Sequence, residues 1–137
     1  MILGIGTDIV DARRIAAAMQ RHDGRFEQRI FTKEERAAAS NAADKVLFYA
    51  KRFAVKEAVY KALSPSGVEG RGWLEAETLN DETGAPRLGL SGRCKTALET
   101  MTPDGYKASL FVSISDEPPY AVAFVVINAV PTEWTRF

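Results

Sequence analysis

The residues best suited to chemistry are few. Asp8 stands near the end of the amino-terminal run ILGIGTDIV, and Glu57 and Lys61 stand one helical turn apart in FYAKRFAVKEAVYKAL. Glu57 and Lys61 fall on a helical strip otherwise made of Ala50 and Ala54, so there is room beside them for something other than a side chain. Two readings of these charges are open. Arg52 and Lys56 are i,i+4 neighbours of like charge, and Glu57 with Lys61 has the i,i+4 spacing of an intrahelical ion pair, all reaching for the surface. Alternatively, Asp8 and Glu57 converge on one point. Two carboxylates with open positions suit Mg²⁺ when substrate phosphates and waters complete its octahedron.

The elements that would hold these groups are legible. Phe48 to Leu63 contains no Gly or Pro and predicts a helix of about four turns, stopped by Ser64-Pro65-Ser66-Gly67. Apolar residues go almost all the way round it, which predicts burial on most sides. Residues 2 to 10 alternate as a strand, with Gly4, Gly6, Asp8 and Val10 on one face. Two glycines there admit another backbone closely, and an alanine-rich helix suits that groove.

Elsewhere the pattern predicts α+β architecture: antiparallel strands packed on the long central helix in a single small domain spanning 1–137. Asp11 can cap a first helix with Ile15, Ala18, Met19 and His22 as a narrow apolar stripe, ended by Gly24. Thr32 and Glu35 have capping-box spacing, and Asp44 can cap the central helix. Trp73–Leu79 and Pro86–Leu90 read as strands around the turn Asn80–Gly84. Ser91 can cap a helix that sends Cys94, Ala97, Leu98 and Met101 into the core. Lys107–Ser115 alternates cleanly, whereas Tyr120–Ile127 is apolar on both faces and requires cover from a helix on one side and from another layer or subunit on the other.

Composition excludes several classes. Eighteen basic and eighteen acidic residues cancel, which argues against nucleic acid. A single cysteine fits a reducing compartment, and no apolar run is long enough to span a bilayer, so a cytoplasmic protein is expected. The charge is nevertheless uneven. Arg13 to Arg29 holds five arginines against one aspartate and one glutamate, a local surplus of +3. That surplus is either a solvated face or a docking surface for an acidic protein.

GIGTDIV, RFAVKEAVYKAL some forty residues later, and SISDEPPYAVAFVVI near the end closely resemble the holo-(acyl-carrier-protein) synthases, the short-chain class of 4′-phosphopantetheinyl transferases. The resemblance runs in order over about residues 2 to 128. It implies that the 4′-phosphopantetheine of coenzyme A is moved to a serine of an apo acyl carrier protein in fatty acid biosynthesis, releasing adenosine 3′,5′-bisphosphate. Mg²⁺ would be held by Asp8 and Glu57, Lys61 would offset charge on the leaving phosphate, and Glu57 and Lys61 are the catalytic candidates. A metal-bound water or a carboxylate could take the serine proton. Arg52, Gly67, Gly84, Pro86 and Ser113 are implied to contact coenzyme A, and Arg13, Arg14, Met19 and Arg21 the carrier protein. Members are similar in being homotrimers with sites between subunits.

Departures from the family pattern are specific. Ala85 stands where members usually have lysine, with Arg87 able to replace some of its charge, and Phe111 stands where a histidine is common. The tail Pro131–Phe137 lies outside the resemblance. Two rival functions remain: a metal-dependent pyrophosphate hydrolase, which would use the same two carboxylates, and a non-catalytic trimeric binding module, favoured if the departures have disabled the site.

Overall fold

In a computed structural model of the chain, residues 1–135 are described. The chain starts with β1 (Ile2–Asp11), and Asp11 then caps α1 (Ala12–His22) by accepting the Arg13 amide. Asp23 and Gly24, both in the left-handed region, turn directly into α2 (Arg25–Ile30). That short helix has no signal in the sequence pattern, and His22 is exposed rather than part of the buried stripe. Thr32 and Glu35 close a capping box on α3 (Lys33–Ala39).

The Asp44 carboxylate accepts the Leu47 amide and caps α4 (Lys45–Leu63), as its place in the sequence suggests. Ala50, Ala54, Val55, Ala58 and Ala62 of α4 are completely buried. A short 3-10 turn over Trp73–Glu75 takes the first residues expected in a strand. β2 (Ala76–Asn80) and β3 (Pro86–Leu90) then form a hairpin, followed by α5 (Gly92–Met101). Ser91 precedes α5 without a side-chain capping bond. β4 (Tyr106–Glu117) and β5 (Tyr120–Pro131) close the fold, and a last 3-10 turn covers Thr132–Thr135. Phe137 of the tail lies outside the described residues.

The main sheet is antiparallel in the order β1-β5-β4, and α4 lies across one face of it. Ala121, Ala123, Val125, Ile127 and Ala129 of β5 point into that interface and are buried. Two glycines decide how close the helix comes. A Cβ on Gly6 would sit 1.9 Å from the Ala58 carbonyl oxygen, and one on Gly4 would sit 2.1 Å from that of Ala62. The alanines beneath the glycines are therefore Ala58 and Ala62. Ala50 and Ala54, on the helical strip of Glu57 and Lys61, are themselves fully buried.

The opposite face of the sheet has no cover among the described residues. Ile5, Ile9, Phe111, Tyr120 and Phe124 are all exposed there, Ile9 to 68% and Phe111 to 58%. Phe111, Val126 and Ile5 share one cross-strand row.

Candidate functional site

Gly6 fixes β1 against Ala58, and Asp8 follows two residues, about 6.7 Å, further along the strand. Asp8 and Glu57 consequently line the same cleft of about 500 Å³. Its other walls include Arg14 and Arg21 of α1, Phe26 of α2 and Phe53 of α4. The carboxylates are not engaged as the helical spacing suggests. Lys61 turns away from Glu57 and donates to the Thr7 carbonyl at 2.8 Å and to Asp8 Oδ1 at 3.1 Å. Glu57 is instead met by Arg71 Nε at 3.3 Å.

Lys56 does not reach the surface as expected, because it points into the core. Its Nζ donates to Glu35 Oε1 at 2.8 Å and to the carbonyls of Trp73 and Ala76, both at 2.7 Å. All three ammonium protons are satisfied. Glu35 also accepts the amides of Thr32 and Thr78. Burial pushes the Lys56 amine down from its ordinary range, against the pull of Glu35. This network joins α3, α4 and β2. Sequence reasoning found only the capping box of Glu35, since the contacts across 21 and 43 residues have no local periodicity.

The expected coenzyme contacts gather elsewhere. Arg52, Gly84, Pro86 and Ser113 line a second pocket of about 370 Å³ with Phe48, Lys51, Asn80 and Asp116. Arg52 is 5% exposed, stacks its guanidinium 4.5 Å from the Phe48 ring centroid and donates one long bond to Asn80 Oδ1 at 3.3 Å. Among the described residues its Nε has no partner and no carboxylate bridges it, and burial depresses its pKa. A buried cation so poorly compensated has capacity left for an anion. Lys51, bridged to Asp116 at 3.2 Å, is a further cation at this pocket that the sequence reading missed. Gly67 is separate, in a shallow hollow with Val68, Arg93 and Thr96.

The two groups lie on different flanks of α4. At 100° per residue, Arg52 is about 140° from Glu57 and about 180° from Lys61. Across the sheet, Asp8, Ala123 and Ile114 share a row, so Asp8 and the β4 wall of the second pocket are two strand spacings apart, about 9.5 Å. On α1, Arg14 and Arg21 face the first cleft, whereas Arg13 bridges Asp11 at 2.8 Å and Met19 packs against the core.

Two half-buried carboxylates at one open cleft fit a Mg²⁺ ion that retains waters and takes other ligands from phosphate. No cluster of three or more His, Cys, Asp and Glu occurs among the described residues, so the protein itself would supply a small share of the coordination.

A family model described as the 4′-phosphopantetheinyl transferase superfamily matches residues 4–125, a span that includes Asp8, Glu57, Lys61 and both pockets' walls. The chain belongs to that superfamily. Among transferases of the superfamily, the holo-[acyl-carrier-protein] synthase of Mesorhizobium japonicum is 44% identical over 133 residues, covering 97% of each chain. That of Methylorubrum populi is 46% identical over 131 residues, covering 96% of each. The crystal structure of the Neisseria meningitidis synthase superposes with a TM-score of 0.76 at 32% identity, over 93% of this chain and 99% of that one. A Bacillus anthracis synthase in complex with CoA (3′,5′-ADP) gives a TM-score of 0.70 at 32% identity, over 93% and 96%. This chain is thus a small α+β phosphopantetheinyl transferase-type domain with the synthase architecture throughout.

Proposed function

We infer that this protein is a holo-[acyl-carrier-protein] synthase: it transfers 4′-phosphopantetheine from coenzyme A to a serine of an apo acyl carrier protein and releases adenosine 3′,5′-bisphosphate. The observation that carries this reading is the meeting of Asp8 and Glu57 in a cleft edged by Arg14 and Arg21, within a chain so similar to synthases over its full length. The reaction is displacement at phosphorus, in which positioning and charge neutralisation supply most of the acceleration. Bound between Asp8 and Glu57, Mg²⁺ would neutralise pyrophosphate charge and orient it. Lys61, already bonded to Asp8 and half exposed, offsets charge on the leaving phosphate. Arg52 takes a phosphate of the coenzyme's adenosine end in the second pocket, with Gly84, Pro86 and Ser113 as its walls. Arg14 and Arg21 receive the acidic carrier protein.

We further read the active form as a homotrimer with each site between two copies. The open apolar sheet face, with Ile5, Ile9, Phe111 and Phe124 exposed, supports association. The separation of Arg52 from Glu57 and Lys61 around α4 supports a site completed by the cleft of one copy and the pocket of another. Fatty acid biosynthesis in the cytoplasm is the setting in keeping with the unpaired, buried Cys94.

Incubation of the protein with apo carrier protein, coenzyme A and Mg²⁺, followed by mass measurement of the carrier, tests the reading. A phosphopantetheine increment is expected. Hydrolysed coenzyme A with unmodified carrier would make the protein a hydrolase, and no change in either would leave a binding module.

A further inference from the structure

Arg71 has no role in the site described so far, yet it holds one of the two carboxylates at its centre. It stands in the loop Gly67–Gly72, where Gly67 and Gly70 adopt left-handed φ of 77° and 75° and turn the chain back over α4. Its guanidinium carbon lies 3.7 Å from the Tyr60 ring centroid, a close stack, while its Nε reaches Glu57 Oε1 at 3.3 Å. No other polar partner meets it among the described residues. Arg93, on α5 beside the same loop, is different: it ties the Glu69 carbonyl and the Glu75 carboxylate together and has the contacts of a structural brace.

The bridges at Asp8 and Glu57 are alike in form. Lys61 against Asp8 has side-chain exposures of 51% and 17%, and Arg71 against Glu57 has 42% and 18%. In each, a part-buried carboxylate is neutralised by a cation that reaches solvent and can move. Four charges sum to zero before any ligand arrives. A divalent cation that takes both carboxylates displaces both basic groups and leaves them beside it, so the five groups together sum to +2 and the two released cations carry that surplus.

We propose that Arg71 is a second phosphate-binding residue, which exchanges Glu57 for a pyrophosphate oxygen of the coenzyme when the divalent cation binds. This rests on the reading of Asp8 and Glu57 as the metal ligands. Tyr60 is the pivot: the stack on its ring holds the guanidinium plane near the site after the carboxylate is released. The planar fork then meets phosphate through charge-assisted hydrogen bonds that an ammonium matches less well. Glycines flanking Arg71 on both sides let the loop follow.

The exchange predicts effects of opposite sign, which a loop brace would not produce. Isothermal titration of the folded protein with Mg²⁺ alone should give R71A a threefold to tenfold tighter affinity than wild type, about the competition set by one half-exposed bridge and a stack. Titration with coenzyme A at saturating Mg²⁺ should give R71A at least about tenfold weaker binding, with R71K recovering part of it. R71Q, which keeps most of the stem over Tyr60, serves if R71A unfolds earlier on heating, and carries the same two expectations. Mg²⁺ affinity that is unchanged or weaker, or coenzyme A affinity within twofold of wild type, overturns the proposal. A wild type that neither binds coenzyme A nor modifies carrier removes the proposed function instead, so the two failures are distinct.

Discussion

Two lysines of α4 five residues apart make the same kind of bond for opposite ends. Lys56 meets Glu35 at 2.8 Å with both side chains essentially sealed from solvent, at 1% and 0% exposure. Lys61 meets Asp8, which lines an open cleft, at 3.1 Å with its own side chain half exposed. The buried ammonium has spent every proton on fixed acceptors and cannot leave without stranding a charge. The half-exposed one has two partners and free solvent, so it can exchange them for a ligand. The lesson is that a lysine–carboxylate pair signals chemistry where its cation can be released, and architecture where it cannot.

Breaking the buried pair should have the largest effect. Lys56→Met is expected to cost about 3–5 kcal/mol, because Glu35 is left charged in the core. The midpoint of urea unfolding measures it. An equally large loss from Lys61→Met would erase the distinction between the two lysines. Asp8→Ala and Glu57→Ala should each lower turnover at least about 10²-fold while shifting the thermal midpoint by no more than about 3 °C. Near wild-type turnover and Mg²⁺ dependence in either variant would remove the shared metal site.

Smaller effects sharpen the contrast. Arg14→Glu with Arg21→Glu should raise the Michaelis constant for carrier protein about tenfold at low salt, with that for coenzyme A unchanged and the difference shrinking as salt rises. An unaltered carrier dependence would make these arginines a solvated face. His22 is exposed at the end of α1, so His22→Ala should keep turnover within about a factor of ten, less than loss of a general base would cause. The smallest expected effect lies in the β2–β3 turn. The hydroxyl of Thr83 and the guanidinium of Arg87, then the amides of Thr83 and Ala85, hold the Asp81 carboxyl down at about 2, against an ordinary 3.8. Its stabilising share is complete above the ordinary value and fades as pH falls toward 2. Asp81→Asn should flatten that part of an acid unfolding curve, and an unchanged curve would show the turn to be indifferent to the charge.

What was legible in the sequence follows the range of the interactions. The caps at Asp11, Thr32 and Asp44, the alternation of β1 and β4, and the α5 stripe from Cys94 to Met101 are local, and each is found in the structure. Asp8 and Glu57 were brought together by glycines and alanines whose lack of bulk can be read, although the alanines in contact are Ala58 and Ala62. The partners of Lys56, Arg52 and Glu57 could not be read. Helical spacing offered Glu57 an ion-pair partner in Lys61 and set Arg52 and Lys56 beside each other's like charge, and each took a partner outside the helix, at Glu35, Asn80 and Arg71. α2 is six residues long and lacks both a side-chain cap and a readable apolar stripe, which is why the pattern passed over it.

The clearance at Gly4 and Gly6 makes the geometry of the site hostage to two missing methyl groups. Helix and sheet touch backbone to backbone there, so no rotamer can give way to added volume, and the whole of α4 must lift off β1 instead. Lifting it by even an ångström widens the gap between Asp8 and Glu57 by a comparable amount, more than the Mg²⁺ proposed to join them would tolerate. On that proposal, tolerance to substitution at these two positions is set by catalysis as much as by folding, although neither glycine touches any reacting group. A suppressor of Gly6→Ala would have to shorten the opposite surface, and since Ala58 presents its carbonyl, no side-chain change at that contact can do so.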